Sequence, residues 1–261
     1  AKAIVDIAYR TARSAKRKDK IRFAKEKSVK ANWAVPQKKK IEDLTPETRI
    51  ETVTELDKSL MSQKINIAAR VFGFGTSVVE KYFVNTEGSI VSSLIPRIGA
   101  YGFITVIENG KPEQASKSFG HSGGWEILDK WRLAEQMIHE AKVLQKVIKE
   151  GKPVKPGKMD LVCGSEVAGI AAHESCGHPM EADRILGREM SQAGKSFIYP
   201  EGPFWIGTRI GSEAVTIVDD PTIRNSYGYY EYDDEGIKAR PRFLYKKGVI
   251  NEFLHNRESA A

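Results

Sequence analysis

Cysteine is nearly absent: two residues in 261 offer no disulfide framework, which fits a reducing interior. No apolar run approaches the roughly 18 residues that a membrane-spanning helix needs, and the start has no signal-peptide pattern. The expectation is a soluble, cytoplasmic chain with no membrane partner. Ala1 is compatible with loss of an initiator methionine and equally with a truncated or split chain. Histidine is scarce too, at five residues, so any clustering of histidines carries information. Hydrophobic residues make up 41% of the chain. That suffices to bury one large core or two small ones.

Charge is present in both signs but unevenly spread. The chain carries a net +7, yet residues 1–40 alone hold fourteen Lys or Arg against three Asp or Glu. A basic arm of this kind binds phosphates by counterion release, which gives a nucleic-acid reading. The competing reading is a solvated helix face. Ile4, Ile7, Ala8, Thr11, Ala12 and Ala15 recur at helical spacing within residues 3–24, which predicts an amphipathic helix with its basic side in water. No aromatic interleaving accompanies the charges, and the solvated face is preferred.

The linker Gly151-Lys152-Pro153-Val154-Lys155-Pro156-Gly157 divides the chain. Before it, Thr45-Pro46-Glu47 predicts an N-cap with proline at the first helical position, opening a helix to about Met61. Strands are expected over residues 64–71, 77–85, 89–95, 101–108 and 113–119. Asn85-Thr86-Glu87-Gly88 and Asn109-Gly110 serve as hairpin turns, so the sheet should be antiparallel. One helix over residues 125–150 closes this region, burying Leu128, Trp131, Leu133, Met137, Ile138, Ala141 and Leu144. His121 and His139 have no ligand pattern, and surface or cap roles are preferred for both.

After the linker, a strand at residues 159–163 should lead into a helix capped by Ser165. Strands are expected at 214–218, 236–245 and 249–254. The Gly-, Pro- and aromatic-rich stretch between the helix and Gly211 resembles a long functional loop. The acidic, tyrosine-rich stretch 227–235 has a cation- or basic-peptide-binding reading and a preferred solvated-loop reading. The expected fold class is α+β: an antiparallel sheet with flanking helices, followed by a second, partial α/β segment that carries the motif described next.

That motif is His173-Glu174-Ser175-Cys176-Gly177-His178-Pro179. Imidazoles bind divalent metals, and a carboxylate next to them can take a proton from water, so the trio has the parts of a hydrolytic metal site. Histidines four apart lie about 40° apart around an α-helix and converge on one ion; five apart they diverge by about 140°. A metal site therefore requires the helix to bulge or break between them. Gly177, which tolerates unusual backbone angles, and Pro179, which cannot continue the helical hydrogen bonding, are placed to cause this. The bland alternative is two cations near a helix C-terminus and an ordinary proline stop.

With Glu181 and Asp183 following as E-x-D, with Val218-Asp219-Asp220-Pro221-Thr222, Asp233-Asp234-Glu235-Gly236, Asn256-Arg257-Glu258-Ser259 and the upstream Asn85-Thr86-Glu87-Gly88, the chain resembles the TldD/PmbA (TldD/TldE, modulator-of-gyrase) family from about position 30 onward. The resemblance implies a zinc peptidase acting on unfolded or flexible peptides, with His173 and His178 as zinc ligands and Glu174 as the catalytic base. It further implies Glu181 or Asp183 as the group orienting an imidazole, and assembly with a homologous subunit or as a homodimer. It implies the division 1–30 (basic helix ending the family's first domain), 31–152 (middle α+β domain) and 157–261 (first part of the metallopeptidase domain). In the family the third zinc ligand is a cysteine beyond the N-R-E-S segment. Cys163 and Cys176 do not match it and read as small buried residues or free thiols. Two other classes stand beside the peptidase: a non-catalytic partner lacking a complete metal site, and a basic nucleic-acid-associated protein.

Overall fold

Asn109 and Gly110, both at positive φ (51° and 76°), form the two-residue turn that folds strand β3 (Ile90–Glu108) back onto β4 (Lys111–Ser122). Only such a left-handed pair matches the twist of the strands it joins. At the other end of β3, the Asn85 side chain accepts backbone N–H bonds from Glu87 (3.1 Å) and Ser89 (2.9 Å). This fixes the reversal from β2 (Ile67–Val84). The computed structural model, which describes residues 2–15 and 20–261, shows these strands as two long ribbons where the sequence suggests four short ones. The glycines and proline that read as breaks are absorbed. Pro96 lies where the neighbour of β3 changes from β1 (Lys30–Ala34), ending opposite Leu94, to β4, starting opposite Arg97. The carbonyls of Leu94 and Pro96 accept bonds from Val35 and Gly123 on that side, so the missing proline N–H falls in the gap between two partners.

β1 pairs with β3 in parallel. The sheet is therefore mixed, in contrast to the wholly antiparallel expectation, because five residues with a single tryptophan gave too short a pattern to mark as a strand. Helix α2 (Pro46–Met61) begins as its sequence predicts, with Thr45 Oγ1 accepting the Thr48 N–H at 3.3 Å. The expected helix at 125–150 is two: α3 (Ile127–Trp131) and α4 (Leu133–Glu150). Arg132 separates them at φ 49°, ψ 47°, a left-handed conformation that ends a helix regardless of the apolar periodicity across it. Leu60 of α2, Met137, Ala141 and Leu144 of α4, and Ile67, Ile104 and Val106 of the sheet form one core. Each large side chain contributes about 1.5–3 kcal/mol by leaving water.

These elements make one compact unit, Ser28–Ala168 with Val218–Arg242; a second consists of Ala1–Lys27, Gly169–Ile217 and Phe243–Ala261. Strand β5 (Ile217–Asp219) is shorter than expected. In the second unit β6 (Arg242–Lys246) and β7 (Val249–Ile250) form a hairpin around Lys247 and Gly248, at φ 49° and 74°. Its core is Met180, Ile185, Ile198, Leu244, Tyr245, Ile250 and Phe253. Ile198 is fully buried, so the stretch read as a functional loop also supplies core. The strand expected at 159–163 is absent: these residues are exposed and irregular, Val162 completely so, because no neighbouring strand pairs with them. Helix α1 (Lys2–Ser14) buries none of its residues. The expected continuation of that helix to residue 24 crosses positions 16–19, which lie outside the described residues, and residues 20–24 are not helical. Among the described residues, no helix is long and apolar enough to cross a membrane.

Candidate metal centre

Helix α5 (Ser165–Ala172) is short and rich in small residues. It runs into a π turn, His173–Gly177, whose hydrogen bond passes from the His178 N–H to the His173 carbonyl. A 3-10 turn, His178–Met180, follows with Pro179 near its start. The π turn holds one residue more than an α turn, and that extra residue cancels the divergence of positions five apart. The two imidazoles lie with ring centroids 4.4 Å apart and planes at 69°. Glu174 sits between them, its carboxylate oxygens 3.9 Å from His173 Nε2 and 3.8 Å from His178 Nε2. One donor atom from each of the three falls within 4.8 Å of the others. The bulge expected near residues 175–177 is present, and the bland helix-stop reading does not account for the convergence.

Its cause differs from the expectation. Gly177 has φ −62°, ψ −62°, ordinary right-handed values, and a Cβ there would meet only the Ala172 carbonyl at 3.7 Å. No glycine-specific conformation is used. What fixes the turn is the segment after it. Met180 is fully buried in the core of its unit, the Leu254 N–H donates to the Met180 carbonyl at 2.8 Å, and the Ala182 N–H donates to the Leu254 carbonyl at 2.8 Å. Ser196 Oγ donates to the Pro179 carbonyl at 2.8 Å. The chain beyond His178 is thereby pinned.

Glu181 accepts from His178 Nδ1 at 2.7 Å, and its second oxygen takes the Arg184 guanidinium. Arg184 Nη2 also lies 3.1 Å from His178 Nδ1. A single ring nitrogen cannot both donate to Glu181 and accept from Arg184. The shorter contact to a carboxylate favours Nδ1–H donating. That tautomer leaves the Nε2 lone pair of neutral His178 free and facing Glu174. Asp183, the other candidate for this contact, turns its carboxylate to the Arg184 backbone N–H at 2.9 Å. Arg184 is the participant the sequence reading missed. Its only signal was a cation three residues after Glu181, at helical spacing.

His173 and Glu174 are about two-thirds exposed and His178 about one-third, at 66%, 64% and 30%. The donor set, two imidazoles and a carboxylate on an open surface, fits a divalent ion of the zinc type. Cys163 is exposed rather than buried. Cys176 packs partly buried against the core, where burial pushes its thiol pKa up; neither cysteine joins the group. His121 lies on β4 with Nδ1 2.8 Å from the Ser122 carbonyl, and burial holds its pKa low; His139 sits within α4. Ser165 is the first helical residue rather than the cap, since the Ala168 N–H bonds the Gly164 carbonyl at 2.9 Å. Of the tyrosine-rich stretch, Tyr229, Tyr230 and Tyr232 pack against the Trp33 and Val35 cluster.

Residues 156–261 match the family model described as PmbA/TldA metallopeptidase C-terminal domain, and residues 39–145 match the PmbA/TldA metallopeptidase central domain. The chain belongs to the TldD/PmbA family. It is 29% identical over 236 residues to the metalloprotease MJ0996 of Methanocaldococcus jannaschii, covering 90% of this chain and 49% of that protein. It is 33% identical over 178 residues to a metalloprotease of Methanothermobacter thermautotrophicus, covering 68% of this chain and 37% of that protein. The chain thus spans half or less of these curated relatives. The crystal structure of TldE from Thermococcus kodakarensis superposes with a TM-score of 0.63 at 17% identity, covering 96% of this chain and 53% of that one. This likeness shows the mixed α/β fold.

TldD/PmbA motifs outside the histidine turn have structural work in this chain. Asn256 Oδ1 accepts the Ser259 N–H at 2.8 Å, while Arg257 donates through Nε and Nη2 to the Ala24 carbonyl at 3.1 and 2.8 Å. Glu258 pairs with Arg188. The N-R-E-S segment thus fastens Ala24 and the stretch after the histidine-bearing turn within one unit. In the other unit Asp233 Oδ1 accepts the Glu235 and Ile237 N–H groups at 2.9 and 2.8 Å, shaping the turn that Gly236 completes at φ 77°.

Proposed function

We propose that this chain carries the water-activating half of a zinc-dependent peptidase of the TldD/PmbA type, acting on unfolded or flexible peptides. The observation that supports it most is the π turn that brings His173 and His178 to one side with Glu174 between them. His173 and His178 would hold the ion. When bound, zinc supplies Lewis-acid polarisation of the substrate carbonyl and lowers the pKa of nearby water. Glu174 takes the proton from the attacking water and passes it on to the leaving amine. Glu181, itself held by Arg184, keeps the proton of His178 on Nδ1 and so keeps Nε2 available as a donor.

A relative in Saccharolobus solfataricus named zinc metalloprotease TldD homolog supports the choice of metal. The fold shared with TldE supports assembly with a homologous subunit or a second copy. The linker at 151–157, at the junction of the two family models' spans, supports a division into a middle domain at 31–152 and the start of the metallopeptidase domain at 157–261, with residues 1–30 closing an earlier one. The two unpaired cysteines suit a cytoplasmic setting.

The test is hydrolysis of a flexible fluorogenic peptide by the zinc-loaded chain, alone and with a homologous subunit, compared with Glu174→Gln. The substitution should leave zinc content unchanged and lower turnover by about 10²-fold or more, the range a positioned general base contributes. Equal turnover in the two proteins refutes the assignment of Glu174.

A further inference from the structure

We infer that strand β2 is a self-pairing edge, through which this chain joins a second copy of itself into one continuous antiparallel sheet. Among the described residues, β2 and β4 each pair with no strand but β3 and form the two long edges of the sheet. Among the described residues, no backbone hydrogen bond other than the β3 ladder reaches β2. The two edges differ in how they are guarded. β4 carries Lys111, Pro112, Glu113 and Lys117, the lysines and proline with which natural sheets keep other strands away. β2 runs from Val71 to Val79 with neither a charge nor a proline. Val71, Tyr82 and Val84 on it are 58%, 73% and 57% exposed. An unguarded, extended and neutral edge is a template for another strand.

The charges that flank the neutral stretch say which strand. β2 has only three: Arg70, Glu80 and Lys81. When two copies pair antiparallel about Gly75, Arg70 stands opposite Glu80 of the second copy, twice by symmetry, and Phe72 and Val78 meet across the seam. Symmetric registers that keep opposed side chains on one face differ by steps of two, which set Arg70 against Val78 or Tyr82, so among these the Gly75 register brings opposite charges together. Arg70 is equipped for it. Its Nε and Nη2 bind the Asp57 carboxylate, the latter at 3.1 Å, which leaves Nη1 for a second carboxylate. Glu80 is exposed.

The inference rests on the assembly reading proposed above and assigns it a surface; sedimentation tests the first, and cross-linking tests the second. The chain should sediment as a concentration-dependent dimer, and Glu80→Arg should weaken it by about tenfold, since two ion pairs are replaced by two repulsions. With Cys163 and Cys176 replaced by serine, Gly75→Cys should oxidise to a covalent dimer, because the residue on the two-fold faces itself. Ser77→Cys, which faces Gly73 of the second copy, should not. A monomer at high concentration overturns pairing with a second copy, and the β2 surface with it, and leaves only assembly with a homologous subunit. A dimer unaffected by Glu80→Arg, or one in which Ser77→Cys cross-links as readily as Gly75→Cys, overturns the β2 surface and leaves assembly standing. Should Gly75→Cys misfold, the Glu80→Arg sedimentation result decides.

Discussion

Glu181 and Gly177 show how differently two residues beside the same histidines behave. Glu181 accepts from His178 Nδ1 at 2.7 Å and is itself held by Arg184, so Glu181→Gln removes the negative partner that fixes the tautomer. Zinc affinity should fall by about 10- to 100-fold, the usual effect of losing a group that orients a ligand, with the fold intact by circular dichroism. Unchanged affinity would show that His178 orients itself. Gly177 adopts helical angles with room for a methyl group, so Gly177→Ala should leave zinc affinity within about twofold. It should raise stability slightly, because alanine costs less backbone entropy in a helical turn. The candidate site residues stand together in the sequence, two histidines and a glutamate in six positions; Arg184 was signalled only by its spacing from Glu181, and the burial of Met180, which depends on contacts far along the chain, by nothing local.

The π turn converts a five-residue spacing into a shared face, and its register can be tested directly. Deleting Ser175 sets the two histidines four positions apart, a spacing that a plain α turn also brings together, so zinc binding should survive in weakened form. Inserting one alanine after Ser175 sets the histidines six positions apart, and binding should be lost. If the insertion binds as well as the parent, convergence does not depend on the turn. Other elements show what local pattern can and cannot convey. Thr45-Pro46 and Asn109-Gly110 act through their own backbone chemistry, and both were readable. The break at Arg132, the continuity of β3 through Pro96 and the parallel placement of β1 depend on partners far along the chain, and no window of sequence contains them.

At the scale of the whole molecule, stability and function draw on the same small core of the unit carrying the site. Tyr245 is buried in it, 6% exposed, and burial, aided by the nearby Cys176 thiol, pushes its pKa up to about 12. The folded chain therefore holds the phenolic proton above the ordinary value near 10, while the unfolded chain releases it. The contribution is complete below about pH 10 and is lost as pH rises towards 12, on the order of 2 kcal/mol in all. Tyr245→Phe should remove that alkaline loss, so denaturant midpoints of the two proteins should diverge from pH 10 upward in favour of the variant. Parallel profiles would place the tyrosine in water.

His173 and His178 are proposed to hold one metal ion together. Calorimetric titration of zinc into the chelator-stripped chain tests it most directly. The expected result is one ion per chain, bound more weakly than in a site with three protein ligands, with binding abolished by His173→Ala and by His178→Ala and retained in Glu174→Gln. Zinc binding that survives either histidine substitution at full affinity would place the ion elsewhere in the chain.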